Sequence, residues 1–374
     1  MKKFKEWVAS SSFSSVSASI GAILVGLLLG LIILIITNPS QAFPAFFTIL
    51  SGGFTNGIKG LGNVLYYSTP LILTGLSVGF AFKTGLFNIG ASGQMVVGGF
   101  VAILIGVRCE FLGSSLWIVA LLGAILAGAL WALIPGIFKA LFNVHEVISS
   151  IMMNYIGMYL VNMLIVKYIF DSIRNQSMIV AESAVMPKLG LDTLTNGSSL
   201  NSGFLIAILF VIVTYIILNK TVFGYELIAC GFNQEASKYA GIKAKRNVVL
   251  AMVIAGALAG AAGGLMYLAG SGQRIMVVDI LLSEGFMGIP IALLGLSNPI
   301  GIFFSAIFIG HIKVGGFYMQ LYDFVPDIID IMISVIIYFS AFALMVKGVI
   351  GFLLKKQKRK KEKSQRQKNG GKVE

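Results

Sequence analysis

The stretch Val248–Gly270, VVLAMVIAGALAGAAGGLMYLAG, decides the fold. It carries no charged side chain and exceeds the roughly 20 apolar residues that take an α-helix across a bilayer. Gly256, Gly260 and Gly264 recur at every fourth residue. Small residues at that spacing share one helix face and let another backbone approach closely. This pattern predicts a membrane helix pressed against its neighbours along those three glycines. Gly26/Gly30 and Gly75/Gly79 repeat the spacing elsewhere.

Outward from this stretch, the whole chain has the same character. Of 374 residues, 57% are apolar and only 11% charged, against about 25% charged in soluble domains. A soluble enzyme is excluded. Charge-poor runs predict ten spans near 18–37, 62–82, 86–107, 113–134, 147–170, 203–219, 248–270, 281–297, 300–316 and 328–350. The fold class is therefore an all-α polytopic membrane protein. The first run, Ala18–Thr37, is longer than the roughly 7–15 apolar residues of a signal peptide, so it reads as a retained helix although Ser40-Gln41-Ala42 resembles a cleavage site. Pro44 and several glycines break the 40–60 segment into at most a partial helix at the outer face. The run from Leu86 holds Asn88, Gly90, Ser92, Gly93 and Gln94, polar enough that a broken or re-entrant helix is the alternative.

Charge sets the orientation. Lys355–Glu374 carries ten Lys/Arg and two Glu, and without that tail the cationic bias between the two sides is slight. The positive-inside rule then puts both termini in the cytoplasm. The expected organisation is a cytoplasmic N-terminus (1–17), a transmembrane domain (18–350) and a basic, disordered tail (351–374) beside anionic lipid rather than nucleic acid. An outer loop covers 171–202 and a cytoplasmic loop covers 220–247. The latter can make one short surface helix suited to a docking partner. Cys109 and Cys230, the only cysteines, fall on opposite sides, so no disulfide or zinc framework follows.

No motif for nucleotide, zinc or serine-nucleophile chemistry is present: G-x-x-x-x-G-K-[ST], H-E-x-x-H, C-x-x-C and G-x-S-x-G are all missing. Nothing points to an enzyme, a metal or a bound cofactor. His145 and His311 sit at span edges, where a structural role is expected. Ionisable residues near the spans are Glu146 at an inner end and Glu284, Asp323, Asp327 and Asp330 at outer ends. Deeper positions are neutral: Asn63, Asn88, Gln94, Asn154 and Asn162, with Tyr66, Tyr67 and Tyr155. Amides and aromatics suit a neutral polar solute better than protons or metal ions, although single amides in membranes also serve to bond neighbouring helices.

Four segments carry a resemblance. Gly85–Met95 (GLFNIGASGQM), His145–Tyr155 (HEVISSIMMNY), Gly285–Gly295 followed by Asn298-Pro299, and Val325-Pro326 with Ile328-Ile329-Asp330 occur in this order. The chain resembles ABC-importer permeases of the branched-chain amino acid, ribose and nucleoside superfamily over about residues 15–350, and the nucleoside branch most. The resemblance implies a type II-importer-like permease subunit in a bacterial cell membrane. Its implied partners are a homologous second permease, a cytoplasmic ABC ATPase and an extracellular solute-binding lipoprotein, with a nucleoside as solute. Asn88, Gln94, Asn154 and Tyr155 would line the substrate path. Asn233, Glu235, Ala236, Ser237 and Gly241 fit the spacing of the ATPase-coupling helix, E-A-A-x-x-x-G, with the third position changed. Ser92 stands where relatives commonly have Glu, and His145 where Asn is usual. Permeases for ribose-type sugars or branched-chain amino acids are the alternative. A stand-alone secondary transporter is a remote one, because ion coupling calls for acidic residues deep in the spans.

Overall fold

In the computed structural model, residues 11–270, 274–325, 327–335 and 338–339 are described. The expected tail 351–374 and most of the expected N-terminal segment 1–17 lie outside them. Side chains of His145, Thr221, Asn233 and Asn298 cap four of the helices. Helix α1 (Ser11–Thr37) leads through a turn into α2 (Ala42–Ser51), the partial helix expected after Ser40. Helix α3 (Gly57–Lys83) is followed by a non-helical turn, with Gly85 at φ +75°, and α4 (Ala91–Arg108) starts only at Ala91. The expected 86–107 span therefore loses its first residues to that turn. Helix α5 (Leu116–Phe142) closes on a left-handed Asn143, and α6 (Glu146–Tyr168) opens with the His145 side chain accepting from the Val147 amide.

The 171–202 loop is folded rather than bare. Strands β1 (Phe170–Asp171) and β2 (Gln176–Ser177) pair antiparallel, and α7 (Leu191–Leu194) is a single turn. The Ser177 and Met186 amides donate to the Ile275 and Leu268 carbonyls, and the Asn201 amide to Ala269. These bonds fasten the loop over the helix ends it covers.

Helix α8 (Gly203–Lys220) leads into α9 (Val222–Phe232), α10 (Gln234–Tyr239) and α11 (Ala244–Tyr267). The last segments are α12 (Ser283–Leu294), α13 (Pro299–Met319) and a helical stretch over 327–335. Asn298 caps α13 by accepting from the Ile300 and Gly301 amides, with Pro299 in the first helical position. That position suits proline, since its missing N–H would have no helical partner there.

Seven helices among the described residues are long and apolar enough to cross a membrane. They include α3, α4, α5, α6, α8, α11 and α13. The chain is a multi-pass, mostly α-helical protein. Ten spans are not reproduced by this criterion. Three expected spans are not among the seven: 18–37 falls within α1, 328–350 lies largely outside the described residues, and 281–297 is short, since α12 has 12 helical residues, about 18 Å of helix against about 30 Å of hydrocarbon. Residues 274–282 before it are not helical.

Helices α3 and α11 form the centre, 83% and 72% buried over their apolar windows, while α5 and α8 are 28% buried and face outward. Helix α11 lies against α5, α4 and α3, and α3 lies against α12, α13 and α8. A side chain on Gly256 would meet the Gly128 carbonyl at 2.4 Å, one on Gly260 the Ala124 carbonyl at 2.3 Å, and one on Gly264 Ala124 Cβ at 2.9 Å. A side chain on Gly263, outside the every-fourth pattern, would lie 2.1 Å from the Met95 carbonyl oxygen. Both α11 faces are thus held by missing side chains, one against α5 and one against α4.

Candidate functional site

Asn88 and Gln94 face each other across the turn between α3 and α4. Asn88 Nδ2 donates to Gln94 Oε1 at 2.9 Å and to Ser77 Oγ at 3.1 Å, and Gln94 Nε2 donates back to Asn88 Oδ1 at 3.0 Å. Asn154 on α6 reaches the same turn, where its Oδ1 accepts from the Gly93 amide at 2.8 Å and its Nδ2 donates to the Ile89 carbonyl at 3.0 Å. All three amides are buried. Tyr155, next to Asn154 in sequence, lies on the exposed side of α6 and does not join them. The cluster brings three expected residues together and separates the fourth. Its chemistry is that of a frame: the turn's backbone has no helical ladder, and side-chain amides bond it instead. Asn154→Ala would leave a buried N–H and C=O unbonded, at about 1–3 kcal/mol. The expected result is a melting temperature several degrees lower for the purified chain in detergent, followed by tryptophan fluorescence.

Ser92, beside this frame, donates through Oγ to the Leu282 carbonyl at 2.8 Å. A side chain on Gly285 would lie 2.3 Å from Ser92 Cα. Ser92 is fully buried at this close α4–α12 contact. His145 caps α6, its Nδ1 accepting from the Val147 amide at 3.3 Å. His311 bonds with both ring nitrogens: Nδ1 accepts from the Gly53 amide and Nε2 meets the Leu50 carbonyl at 2.9 Å. It ties α13 to the end of α2.

Beside this turn, at the end of α3 and the start of α11, sits a compact helical loop. Asn233 caps α10, its Oδ1 accepting from the Ala236 amide at 2.9 Å. Ser237 is buried and bonds the Asn233 carbonyl at 2.9 Å. Glu235 pairs with Lys238 on the exposed face. The turn ends on Gly241 at φ +79°, whose amide donates to the Lys238 carbonyl. Large apolar or aromatic side chains stand out around it: Val222, Tyr225, Phe232 and Tyr239, the last 94% exposed.

Two connections missed by sequence reasoning tie this loop to the bundle. Glu226 on α9 accepts from Arg246 Nη2 and Asn247 Nδ2, both at 3.1 Å, at the start of α11. Opposite charges bounding the 220–247 loop were its only sequence signal. Gly231 on α9 meets Gly85 backbone to backbone, and a side chain on Gly85 would lie 2.6 Å from Gly231 Cα. The exposed loop is therefore in direct contact with the turn that the amides hold.

Comparison with known proteins places this architecture. The family described as "Branched-chain amino acid transport system / permease component" matches residues 60–341. The chain belongs to this family. This permease is similar to the guanosine ABC transporter permease protein NupP of Bacillus subtilis (strain 168), 38% identical over 336 residues, covering 90% of this chain and 95% of that protein. It is also similar to the nucleoside ABC transporter permease protein NupB of Lactococcus lactis subsp. cremoris (strain MG1363), 36% identical over 361 residues, covering 94% and 96%. A third relative is the guanosine ABC transporter permease protein NupQ of Bacillus subtilis (strain 168), 27% identical over 300 residues, covering 77% and 90%. No solved structure matches the chain. The permease is a transport component, not an enzyme.

Proposed function

We propose that this permease is a membrane-spanning subunit of an ATP-driven importer of nucleosides. The similarity to guanosine and nucleoside permeases over nine-tenths of the chain carries the reading. Two guanosine permeases of one organism, NupP and NupQ, both align with it. That supports a homologous second permease as partner, with solute passing between the two. A cytoplasmic ATPase and an extracellular solute-binding lipoprotein complete the system. Both termini lie in the cytoplasm of a bacterial cell, in ten crossings of its membrane. The short α12 and the non-helical residues before it count as one crossing.

The role proposed for Asn233–Gly241 is mechanical. Helix α10 seats in a cleft of the ATPase, with Tyr239 and Phe232 as exposed anchors. Movement passes through α9 to α11 by the Glu226 cluster, and to the α3–α4 turn by Gly231 against Gly85. Asn88, Gln94 and Asn154 then act on the path by shaping that turn.

Glu235→Arg breaks the exposed pair with Lys238. Gly241→Pro requires φ near −65° where the chain has +79° and removes the amide that closes the turn. Both variants are expected to hydrolyse ATP without solute stimulation in the assembled transporter. Normal stimulated hydrolysis in both would remove the coupling role.

A further inference from the structure

Helices α3, α11, α12 and α13 enclose a partly open pocket of about 200 Å³ at the end of the bundle away from the coupling loop. Tyr66, Tyr67 and Phe317 make one wall, with Tyr67 5.1 Å from the Tyr66 ring and 5.2 Å from Phe317. Glu284 and Lys313 make another, paired at 3.1 Å and mostly shielded from solvent. Met266, Ala269 and Thr69 are among the other lining residues.

We propose that this pocket is a nucleoside subsite on the import route. The inference rests on the nucleoside-import reading above and adds a place and a recognition chemistry to it. Lys313 lies 14 residues into α13 from Pro299, about 21 Å along the helix. Its partner Glu284 stands at the start of α12, immediately after the non-helical residues 274–282. Residues 274–282 bond the loop that covers this end of the bundle, the Val277 amide donating to the Asn175 carbonyl, so the pocket lies close beneath that loop. An ion pair inside a membrane bundle marks a solute route by default.

The chemistry selects the ligand class. The two charges cancel, so the pocket favours a neutral solute over an ion. The aromatic wall offers ring faces to a flat heterocycle. The carboxylate accepts from two vicinal hydroxyls, and the ammonium keeps donors for a carbonyl oxygen. A nucleoside carries all of these groups in one molecule. A pocket below the roughly 300–1,000 Å³ of sites that enclose a drug-sized ligand holds it partially, which suits a solute that must leave again. The same helices that frame the pocket reach the coupling loop: α3 runs into the turn at Gly85, and α11 starts beside Arg246.

The test uses the full transporter complex in membrane vesicles. Cys109 and Cys230 are changed to serine, and Met266→Cys or Ala269→Cys places a single thiol in the pocket. Labelling by a membrane-permeant maleimide is timed with guanosine, ribose or leucine present. Guanosine at about four times its Kd occupies about four-fifths of the sites and is expected to slow labelling about fivefold, and ribose or leucine to leave it unchanged. Glu284→Gln is expected to abolish the protection. If neither cysteine is protected in vesicles that import guanosine, the subsite is wrong and the transport reading stands. Protection by leucine or ribose instead of guanosine also overturns the subsite. If the unmodified complex imports neither guanosine nor uridine, the nucleoside reading itself falls; import of uridine alone makes uridine the protectant in the same test.

Discussion

Gly260→Leu is expected to abolish accumulation of folded permease in the membrane. The first atom of any side chain there lies 2.3 Å from the Ala124 carbonyl and 2.9 Å from Gly128 Cα. Both are backbone atoms, so no rotamer change relieves the clash; α11 and α5 must separate. Extra methylenes in a packed interior commonly cost about 1–3 kcal/mol even where side chains can yield. Here the loss extends along the contact, because Gly256 and Gly264 hold the same seam. Against a typical net stability of about 5–15 kcal/mol, that is enough to unfold the bundle. Gly21→Ala is the control, since nothing lies within 4 Å of that position. Size-exclusion chromatography of fluorescently tagged variants is the measurement. A symmetric, full-height peak for Gly260→Leu would show that the α5–α11 contact does not hold the fold.

Gly231→Val is expected to leave a folded permease whose uptake falls by more than about tenfold, the change a displacement worth about 1.4 kcal/mol produces. A side chain at 231 would meet the Gly85 nitrogen and the Thr84 carbonyl carbon, both at 2.7 Å. Helix α9 lies at the edge of the bundle, so it can move away at modest cost in stability. What is lost is the contact between the coupling loop and the amide-held turn. ATP hydrolysis and solute uptake measured on the same proteoliposomes separate the outcomes. Hydrolysis that persists while uptake collapses is the expected pattern. Uptake near the unmodified level would show that the Gly85–Gly231 contact transmits nothing.

Much of this architecture is legible in the chain itself, for reasons that are local. The glycine spacing of α11 is set by one helix's geometry, and Asn298-Pro299 marks the start of α13 by cap and first-turn chemistry. Asn233 and Gly241 bound α10 in the same way. What escapes is which surfaces meet. Nothing in α11 alone says that its glycines face Gly128 and Ala124, or that Gly263 faces α4. The extent of α12 escapes for a different reason: an apolar run reads alike whether its backbone is helical or, as before Ser283, irregular. The amide pair shows the same limit. Six residues apart on a continuous helix, Asn88 and Gln94 would point to different faces; the turn at 84–90 brings them together. Hydropathy also cannot foresee that Glu284 and Lys313, on successive segments, come within 3.1 Å.

The most direct test of the importer account is ATP-dependent uptake of labelled guanosine and uridine in cells lacking this chain, with and without its restoration. Leucine and ribose uptake are followed alongside. The account predicts that nucleoside uptake disappears without the permease, returns with it and fails when ATP is depleted, while leucine and ribose uptake stay level. Nucleoside uptake unchanged by removal of the chain, or loss of leucine or ribose uptake in its place, would contradict it.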